Sequence, residues 1–531
     1  MGKRSVTIGT NSGELNTRQR GDFQTPEPLS RQVWSLVNVA DYDLIIEPTF
    51  GAGSFLTTAP EGGTAAILGW EIHREYYERT LARFAGRSRS RIHLAHGDIF
   101  AVTGDDLPLA EDTAALVIGN PPWVTSAEQG RLGGRNTGPK RNMKALAGLD
   151  ALTGKANFDI AEAIILHLLT VLAECRMVDF VLLTKFTVAR NLLRFLGQLP
   201  QIGDFSFRRI DAQHHFGAAV EAGVLRFRVG PTPLTRSQCA MYEAIEGPCT
   251  RHLRLEDGRF IYDDEVYRRN AFLEAEGSAT YVWRQGLKHD LRDVFELSER
   301  DDGLYNRRGE RVDVEPEVLY RLYKSSDLFT GKRSRFVVPV YQRDLQDNLA
   351  QIASRWPKLW AYLEAHAADF RGRKSSIYRK RPLFSLFGIG AYTYQRYKVA
   401  VGSLYAEPVF QLLEPAPRLA VIDDTCYSLT TDDRAEAIYL LAILRLACTR
   451  DFLLAISAAG DKRRFPKDVL SRLHLPPYAS CPVALTMALV EEWDTGRRFV
   501  ERTQQELTAW LRYQRELRVP SALTAAQPAL F

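Results

Sequence analysis

Leu116-Val117-Ile118-Gly119-Asn120-Pro121-Pro122-Trp123-Val124-Thr125 is the stretch that sets the reading of this chain. Leu116, Val117 and Ile118 make an apolar, β-branched run of the kind that fills a buried strand. Gly119 ends the run, and a polar amide, two prolines and a large aromatic follow. Proline has no N–H and a fixed φ, so Asn120 to Trp123 reads as a rigid turn with free carbonyls. The side-chain carbonyl of Asn120 and the main-chain carbonyl of Pro121 can both accept from one –NH2 group. Trp123 offers a flat apolar wall on which a base can stack. The turn is therefore expected to hold an exocyclic amine on a planar ring. The plainer alternative is a Pro-Pro loop whose Trp fills a core, and the flanking sequence decides between the two.

Upstream, Asp43-Leu44-Ile45-Ile46-Glu47-Pro48 reads as a strand. It runs into Thr49-Phe50-Gly51-Ala52-Gly53-Ser54-Phe55-Leu56, where Gly51 and Gly53 let the backbone turn tightly and approach a ligand. A dinucleotide fingerprint wants a third glycine three residues on, and Leu56 or Phe55 stands there, so NAD is disfavoured. A second strand, Ala65 to Trp70, ends at Glu71, about twenty residues after the glycine loop. A carboxylate at that place can accept both hydroxyls of a ribose. A helix is expected over His73–Phe84. A third strand, Arg91 to Ala95, runs into Asp98, which can accept from an adenine amine, with Ile99 or Phe100 against the ring. Three acids ending three successive strands, ahead of a fourth that ends in Asn-Pro-Pro-Trp, converge on one cleft if the sheet is parallel. Before all of these stands Gly21-Asp22-Phe23-Gln24-Thr25-Pro26, where Thr25 can cap a helix and Pro26 suits its first position.

Downstream, Gln129 to Thr153 is polar and glycine-rich, and Arg135 and Lys140 are among its basic residues. It reads as a loop able to touch a DNA backbone. Asp159 opens an apolar helix, Ile160 to Leu172. A fifth strand, Val178 to Leu183, precedes a helix from Thr187 to Leu199. Two strand-like runs, Phe205–Ile210 and Val224–Val229, flank Phe216 and suggest an antiparallel edge. Gly230-Pro231-Thr232-Pro233 reads as a linker. Beyond it the alternation of strand and helix is lost. A basic, aromatic stretch from Lys332 to Lys398 holds Arg373, Lys374, Arg379, Lys380 and Arg381, residue types that neutralise phosphates. Pro482 to Glu516 reads as one long helix or a helical pair.

The chain has 531 residues, too many for one core. Its 45% hydrophobic and 25% charged residues are those of a globular protein, and a net charge of +5 permits nucleic-acid binding without demanding it. The six cysteines are scattered and form no CxxC pair, so neither structural zinc nor a disulfide framework is expected. No metal is expected. No apolar run reaches membrane-spanning length and no signal peptide is recognised, so a cytoplasmic location is expected.

Assembled, these parts resemble a class I S-adenosylmethionine-dependent methyltransferase, and more closely the gamma-type adenine-N6 DNA methyltransferases of restriction–modification and related defence systems. Phe23-Gln24-Thr25-Pro26 is similar to the motif at the cofactor's methionine carboxylate, and Glu47 to Gly53 to the Asp/Glu-Pro-x-x-Gly-x-Gly loop. Glu71 and Asp98 match the ribose and adenine acids. Lys155 to Asp159 and Phe216 to Leu225 match later motifs. The resemblance implies an α/β architecture: a Rossmann-like, seven-stranded, mostly parallel sheet over residues 21–232. A flexible arm over 1–20 precedes it, and an α+β DNA-recognition domain with C-terminal helices follows over 233–531. It implies S-adenosylmethionine held by Thr25, Pro26, Glu47, Gly51, Gly53, Glu71, Asp98 and Phe100. It implies direct methyl transfer to a flipped-out adenine in double-stranded DNA at Asn120, Pro121, Pro122 and Trp123. Phe186 is the candidate for a second stacking aromatic. A separately encoded restriction nuclease or defence subunit is the candidate partner. Three readings compete: a methyltransferase acting on cytosine N4, one acting on an RNA base or a protein glutamine, and an inactive DNA-binding subunit.

Overall fold

All four strand runs expected up to Asn120 form, and they lie side by side. The structure, a computed structural model, describes residues 23–61, 63–84, 91–124, 159–231, 234–276, 279–343 and 351–517. It divides into two units, Met1–Asp264 and Glu265–Phe531.

In the first unit the strands are β1 (Leu44–Glu47), β2 (Ala66–Glu71), β3 (Ile92–His96), β4 (Ala114–Gly119), β5 (Met177–Lys185), β6 (Ile202–Ile210) and β7 (Ala222–Val229). Their order across the sheet is β3-β2-β1-β4-β5-β7-β6, with β3 through β5 parallel and β7 antiparallel to both its neighbours. The order reverses between β1 and β4. Ligands of open parallel sheets sit at such a switch point, beyond the carboxyl ends of the strands. Glu47 and Gly119-Asn120 are those carboxyl ends.

The sheet is longer than the seven strands expected. β8 (Gln238–Tyr242), β9 (Arg251–Glu256) and β10 (Arg259–Ile261) follow the expected linker, and β8 pairs parallel to β6. The sheet therefore has ten strands, and the first unit runs to Asp264 rather than stopping at 232. β8 adds to an open edge through backbone pairing with β6, a contact that a local reading of Gly-Pro-Thr-Pro does not reveal.

Period-two alternation splits the side chains between two cores. Leu44, Ile46, Ala115, Val117, Phe180 and Leu182 face the helices α4 (Ile160–Val171) and α5 (Phe186–Leu196). Ile45, Leu116, Ile118, Val181 and Leu183 face α1 (Glu27–Trp34), α2 (Ser54–Thr57) and the end of α3 (Arg74–Phe84). Every residue of β4 is buried, as its continuous apolar run foretells. Each large apolar side chain so placed is worth roughly 1.5–3 kcal/mol. This fixes the strand that carries Asn120.

The second unit is α+β. It holds a four-stranded sheet ordered Arg284–Gln285, Cys426–Thr431, Tyr397–Gly402, Phe410–Leu413, and a separate six-stranded sheet. Helix Arg434–Arg445 packs on the former and is almost wholly buried. The C-terminal region is a pair of helices, Val483–Asp494 and Glu501–Glu516, interrupted at Gly496, whose φ is +69°. No described helix is long and apolar enough to cross a membrane.

Candidate active site at the sheet switch point

The glycine loop leaves β1 and turns at once. Gly51 and Gly53 have φ of +52° and +76°, a region that side-chain-bearing residues rarely adopt. There is no room for one either. A Cβ at Gly51 would lie 2.6 Å from the Gln24 side-chain oxygen, and one at Gly53 the same distance from the Thr80 methyl. Gln24 Oε1 accepts from the Ala52 N–H at 2.7 Å, and Ser54 Oγ donates to the Thr25 carbonyl at 2.6 Å. The Phe23–Pro26 segment is thus strapped onto the loop.

Thr25 does not cap a helix. The helix begins at Glu27 with Pro26 at its cap and no side-chain cap bond. The Thr25 hydroxyl accepts instead from Asn120 Nδ2 at 3.2 Å, and the Phe23 carbonyl accepts from the same nitrogen at 2.8 Å. The competing acceptor role was invisible locally because Asn120 lies far along the chain.

Glu71 closes the other side. Its two oxygens accept from the Gly51 N–H at 2.8 Å and the His73 N–H at 2.7 Å. Glu47 is 2% exposed, and its Oε2 has no hydrogen-bond partner. Burial, with the nearby charge of Glu71 adding to it, pushes the Glu47 carboxyl well above the usual carboxylate range. Glu47 also underlies the Asn120–Trp123 turn, since a Cβ at Gly119 would meet its Cγ at 3.4 Å. On β3's far side, Asp98 Oδ1 accepts from the Phe100 N–H at 3.0 Å, and the Phe100 ring lies 5.6 Å from that of His167.

Asn120 is the centre of this arrangement. Its Nδ2 is spent on Phe23 and Thr25, which fixes the amide's orientation. Its Oδ1 is buried and has no donor. A buried acceptor without a partner costs about 1–3 kcal/mol. Among the described residues, the side chain keeps an acceptor available for an N–H. Hydrogen bonds link Asn120 to Phe23 and Thr25, Gln24 to the glycine loop, and the loop to Glu71, so the sequence-predicted residues Thr25, Gly51, Glu71 and Asn120 lie together.

Trp123 is not the open wall expected. It is 6% exposed. Its ring lies 5.3 Å from Phe23 and 5.1 Å from Phe216, and its indole N–H donates to the Leu183 carbonyl at 3.3 Å. Both covering rings come from segments remote in sequence. Pro121 is buried beside it and Pro122 half-buried. Phe186 is no partner for Trp123. It packs on Phe207 at 5.1 Å, among the side chains of the opposite face. The aromatics that do meet Trp123 are Phe23 and Phe216, the latter at the end of helix α6 (Ala212–Phe216), just before Gly217. The late motif around Phe216 held the signal, but nothing local identified its ring as the neighbour.

Behind the turn lies a second polar group. Lys185 Nζ donates to the Trp123 carbonyl at 3.3 Å and pairs with the Asp159 carboxylate. Asp159 caps α4, accepting from the Ala161 N–H at 3.1 Å. Glu162, 4% exposed, accepts from Asn191 Nδ2 at 2.7 Å. Burial pushes its carboxyl up to about 7; the Asn191 bond opposes this, Asp159 adds to it and Lys185 opposes it. Folded protein therefore keeps a proton that the unfolded chain gives up between the ordinary value of 4.5 and about 7, and stability is lost as pH rises through that window. Glu162→Gln keeps the acceptor and cannot ionise. Urea unfolding at pH 8 is expected to show the variant more stable than wild type, by at most about 3 kcal/mol. At pH 5 the two converge. A variant no more stable at pH 8 contradicts the assignment.

Of the expected DNA contacts, Lys374, Arg379, Lys380 and Arg381 are exposed around the short turn Ser376–Tyr378. Arg373 is not. Its guanidinium donates to the carbonyls of Phe370, Ser385 and Leu383, the last at 2.5 Å, and stacks over Tyr378 at 3.6 Å. It clamps its own loop, three of its donors going to backbone carbonyls. Arg135 and Lys140 lie outside the described residues. Among the described residues no group of three or more His, Cys, Asp or Glu side chains is placed to hold a metal ion.

No family model matches the chain. It is 31% identical to the Type II methyltransferase M.NspV of Nostoc sp. (strain ATCC 29411 / PCC 7524) over 471 residues, 87% of this chain and 97% of the relative. Among solved structures it is similar to the type IIG restriction endonuclease BpuSI, at 12% identity and a TM-score of 0.34, over 95% of this chain and 67% of that one. A type I restriction–modification methyltransferase subunit from Streptococcus thermophilus matches at 15% identity and a TM-score of 0.28, over 41% of this chain and 46% of that one.

Proposed function

From the premise that this chain belongs to the Type II methyltransferases, we propose that it methylates the N6 amine of adenine in double-stranded DNA. S-adenosylmethionine is the cofactor. When bound, it supplies an electrophilic methyl group on a sulfonium. The residues present fit it. Gly51 and Gly53 let the loop turn tightly at the end of β1, Glu71 and Asp98 bring carboxylates to the ends of the next two strands, and Phe100 follows with a ring. Thr25 and Pro26 lie beside that loop, tied to it through Ser54. The unpaired Glu47 oxygen is a further acceptor there.

The observation that carries the substrate reading is the buried Asn120 Oδ1 with no donor. Asn120 and the Pro121 carbonyl accept the two amine hydrogens, which draws the nitrogen lone pair out of conjugation with the ring and aims it at the methyl. No nucleophile on the protein is used. Rate enhancement comes from positioning and from stabilising charge that develops on the amine. The base must leave the duplex stack, at a cost of a few kcal/mol. To reach Trp123 it must also displace Phe216 or Phe23, which now cover that ring. Phe216 lies at the end of a five-residue helix closed by Gly217 at φ +64°. The order of the motifs supports adenine over cytosine, and the exposed cations at Lys374, Arg379, Lys380 and Arg381 support contact with phosphates. The biological setting is a restriction–modification system with a separately encoded nuclease as partner.

Purified protein given S-adenosylmethionine with a labelled methyl, and offered duplex DNA, RNA and protein in turn, is expected to label DNA. Label in RNA or protein, with DNA blank, overturns the substrate assignment.

A further inference from the structure

The proposed reaction uses Asn120 and Pro121 but leaves unexplained what holds the turn that carries them. One end is secured by β4. At the other, Trp123 makes two bonds to the same neighbouring strand. The Leu183 carbonyl of β5 takes its indole N–H, and the ammonium of Lys185, two residues on, donates to its main-chain carbonyl, each at 3.3 Å. Side chains of successive odd positions lie on one face of a strand, so the strand that packs the ring also presents the cation.

Lys185 is not a surface lysine. Its side chain is 18% exposed and that of Asp159, its ion-pair partner, 6%. In so poorly hydrated a place a charged hydrogen bond is stronger than at the surface, and its loss is felt. Asp159 in turn caps α4, and the next amide, Ile160, donates to the Val124 carbonyl at 3.0 Å. The carbonyls of Trp123 and Val124 are therefore both taken by one small assembly built from the end of β5 and the start of α4. Helix α5 starts directly after Lys185, which is its cap residue, so the lysine backbone is fixed from both sides.

We propose that Lys185, held by Asp159, is a positioning residue for methyl transfer: it pins the Trp123 carbonyl and thereby sets where the Pro121 carbonyl and the Asn120 side chain receive the substrate amine. Both prolines have a fixed φ, so the chain from Asn120 to Trp123 has few ways to adjust independently. A turn of the Trp123 peptide unit is passed back to Pro121. A displacement of about 1 Å of a reacting group costs on the order of 10²-fold in rate. Lys185 touches neither substrate nor cofactor in this arrangement, and its effect passes through Trp123. The inference rests on the methyl-transfer reading given under Proposed function.

The test uses the full chain with Lys185→Met, Lys185→Arg and Asp159→Asn. Single-turnover methyl transfer, KM for the acceptor, cofactor affinity by calorimetry and thermal unfolding are measured together. Lys185→Met is expected to lower the single-turnover rate about 10²-fold, with KM and cofactor affinity within about three-fold of wild type. Lys185→Arg restores at least ten-fold of that loss, because it keeps a cationic donor. Asp159→Asn keeps the helix cap and loosens the lysine, and it gives an intermediate rate; it also reads the same question should Lys185→Met fail to fold. A rate within three-fold of wild type for Lys185→Met, or for Asp159→Asn in its place, overturns the proposal. So does a rate loss matched by an equal loss of cofactor affinity, since that is what a merely structural lysine gives. A wild type that methylates RNA or protein but not DNA overturns the substrate reading alone, and the same rate ratios on that acceptor then decide Lys185.

Discussion

Asn120→Ala is expected to reduce methyl transfer by on the order of 10³-fold while leaving cofactor affinity within about three-fold of wild type. The argument rests on what each atom of the amide does. Nδ2 is held by the Phe23 carbonyl and the Thr25 hydroxyl, so it only orients the side chain. Among the described residues Oδ1 has no partner, and under the proposed function it is the atom the alanine removes. The glycine loop and Glu71 are bonded to one another and to Gln24, so they keep their places without Asn120. Transfer rates in single-turnover assays, with calorimetry for the cofactor, separate the two effects. Asn120→Asp is a sharper control. It keeps an oxygen at the site but brings a second one against the Phe23 carbonyl, and it is expected to be nearly as inactive. A fully active Asn120→Ala contradicts the mechanism.

Glu71→Ala is expected to act on the other side of the division. Its carboxylate accepts the Gly51 and His73 amides and so holds the end of β2 against the loop after β1. Alanine removes the acceptor and frees the loop amides at once. Two charge-assisted hydrogen bonds at about 1.5 kcal/mol each correspond to a rise in the cofactor Kd of about 10²-fold. The single-turnover rate at saturating cofactor is expected to fall much less, since Asn120 is untouched. Calorimetric titration with S-adenosylmethionine reads the first and labelled transfer the second. An unchanged Kd removes Glu71 from the cofactor site.

The division between these two residues follows from parts of the molecule that were legible in the sequence. β1, β4 and β5 were readable because each is a short, strongly apolar run, and a buried parallel strand leaves that signature; β3, at the sheet edge and only partly apolar, was placed by the acid that follows it. The glycine loop was readable because positive φ and close packing demand glycine, and both Gly51 and Gly53 meet both demands. What the sequence did not show is long-range. Trp123 is covered by Phe23 and Phe216, and no local pattern states which rings will meet. Thr25 is a good helix cap on composition, yet its hydroxyl serves Asn120. Arg373 has the composition of a phosphate contact, but three backbone carbonyls occupy it. Lys185 drew no notice because a lysine at a strand end is ordinarily a solvated one. The strands β8 to β10 were missed because an edge-strand pairing to β6 depends on backbone groups, which every residue carries.

The burial of Trp123 also bears on how the site works. A base cannot stack on a ring that two others cover, so under the proposed function target entry requires rearrangement of Phe216 or Phe23. In the proposed reaction the amine is received at Asn120 beside the sulfonium donor, and the burial of Trp123 counts against the stacking role expected of that ring.

The most direct measurement is to methylate duplex DNA with purified protein and S-adenosylmethionine labelled in its methyl group, digest the product to nucleosides and separate them. Label in N6-methyl-2′-deoxyadenosine is the expected result. Label in a methylated cytosine, or none in any nucleoside while the cofactor binds, contradicts it.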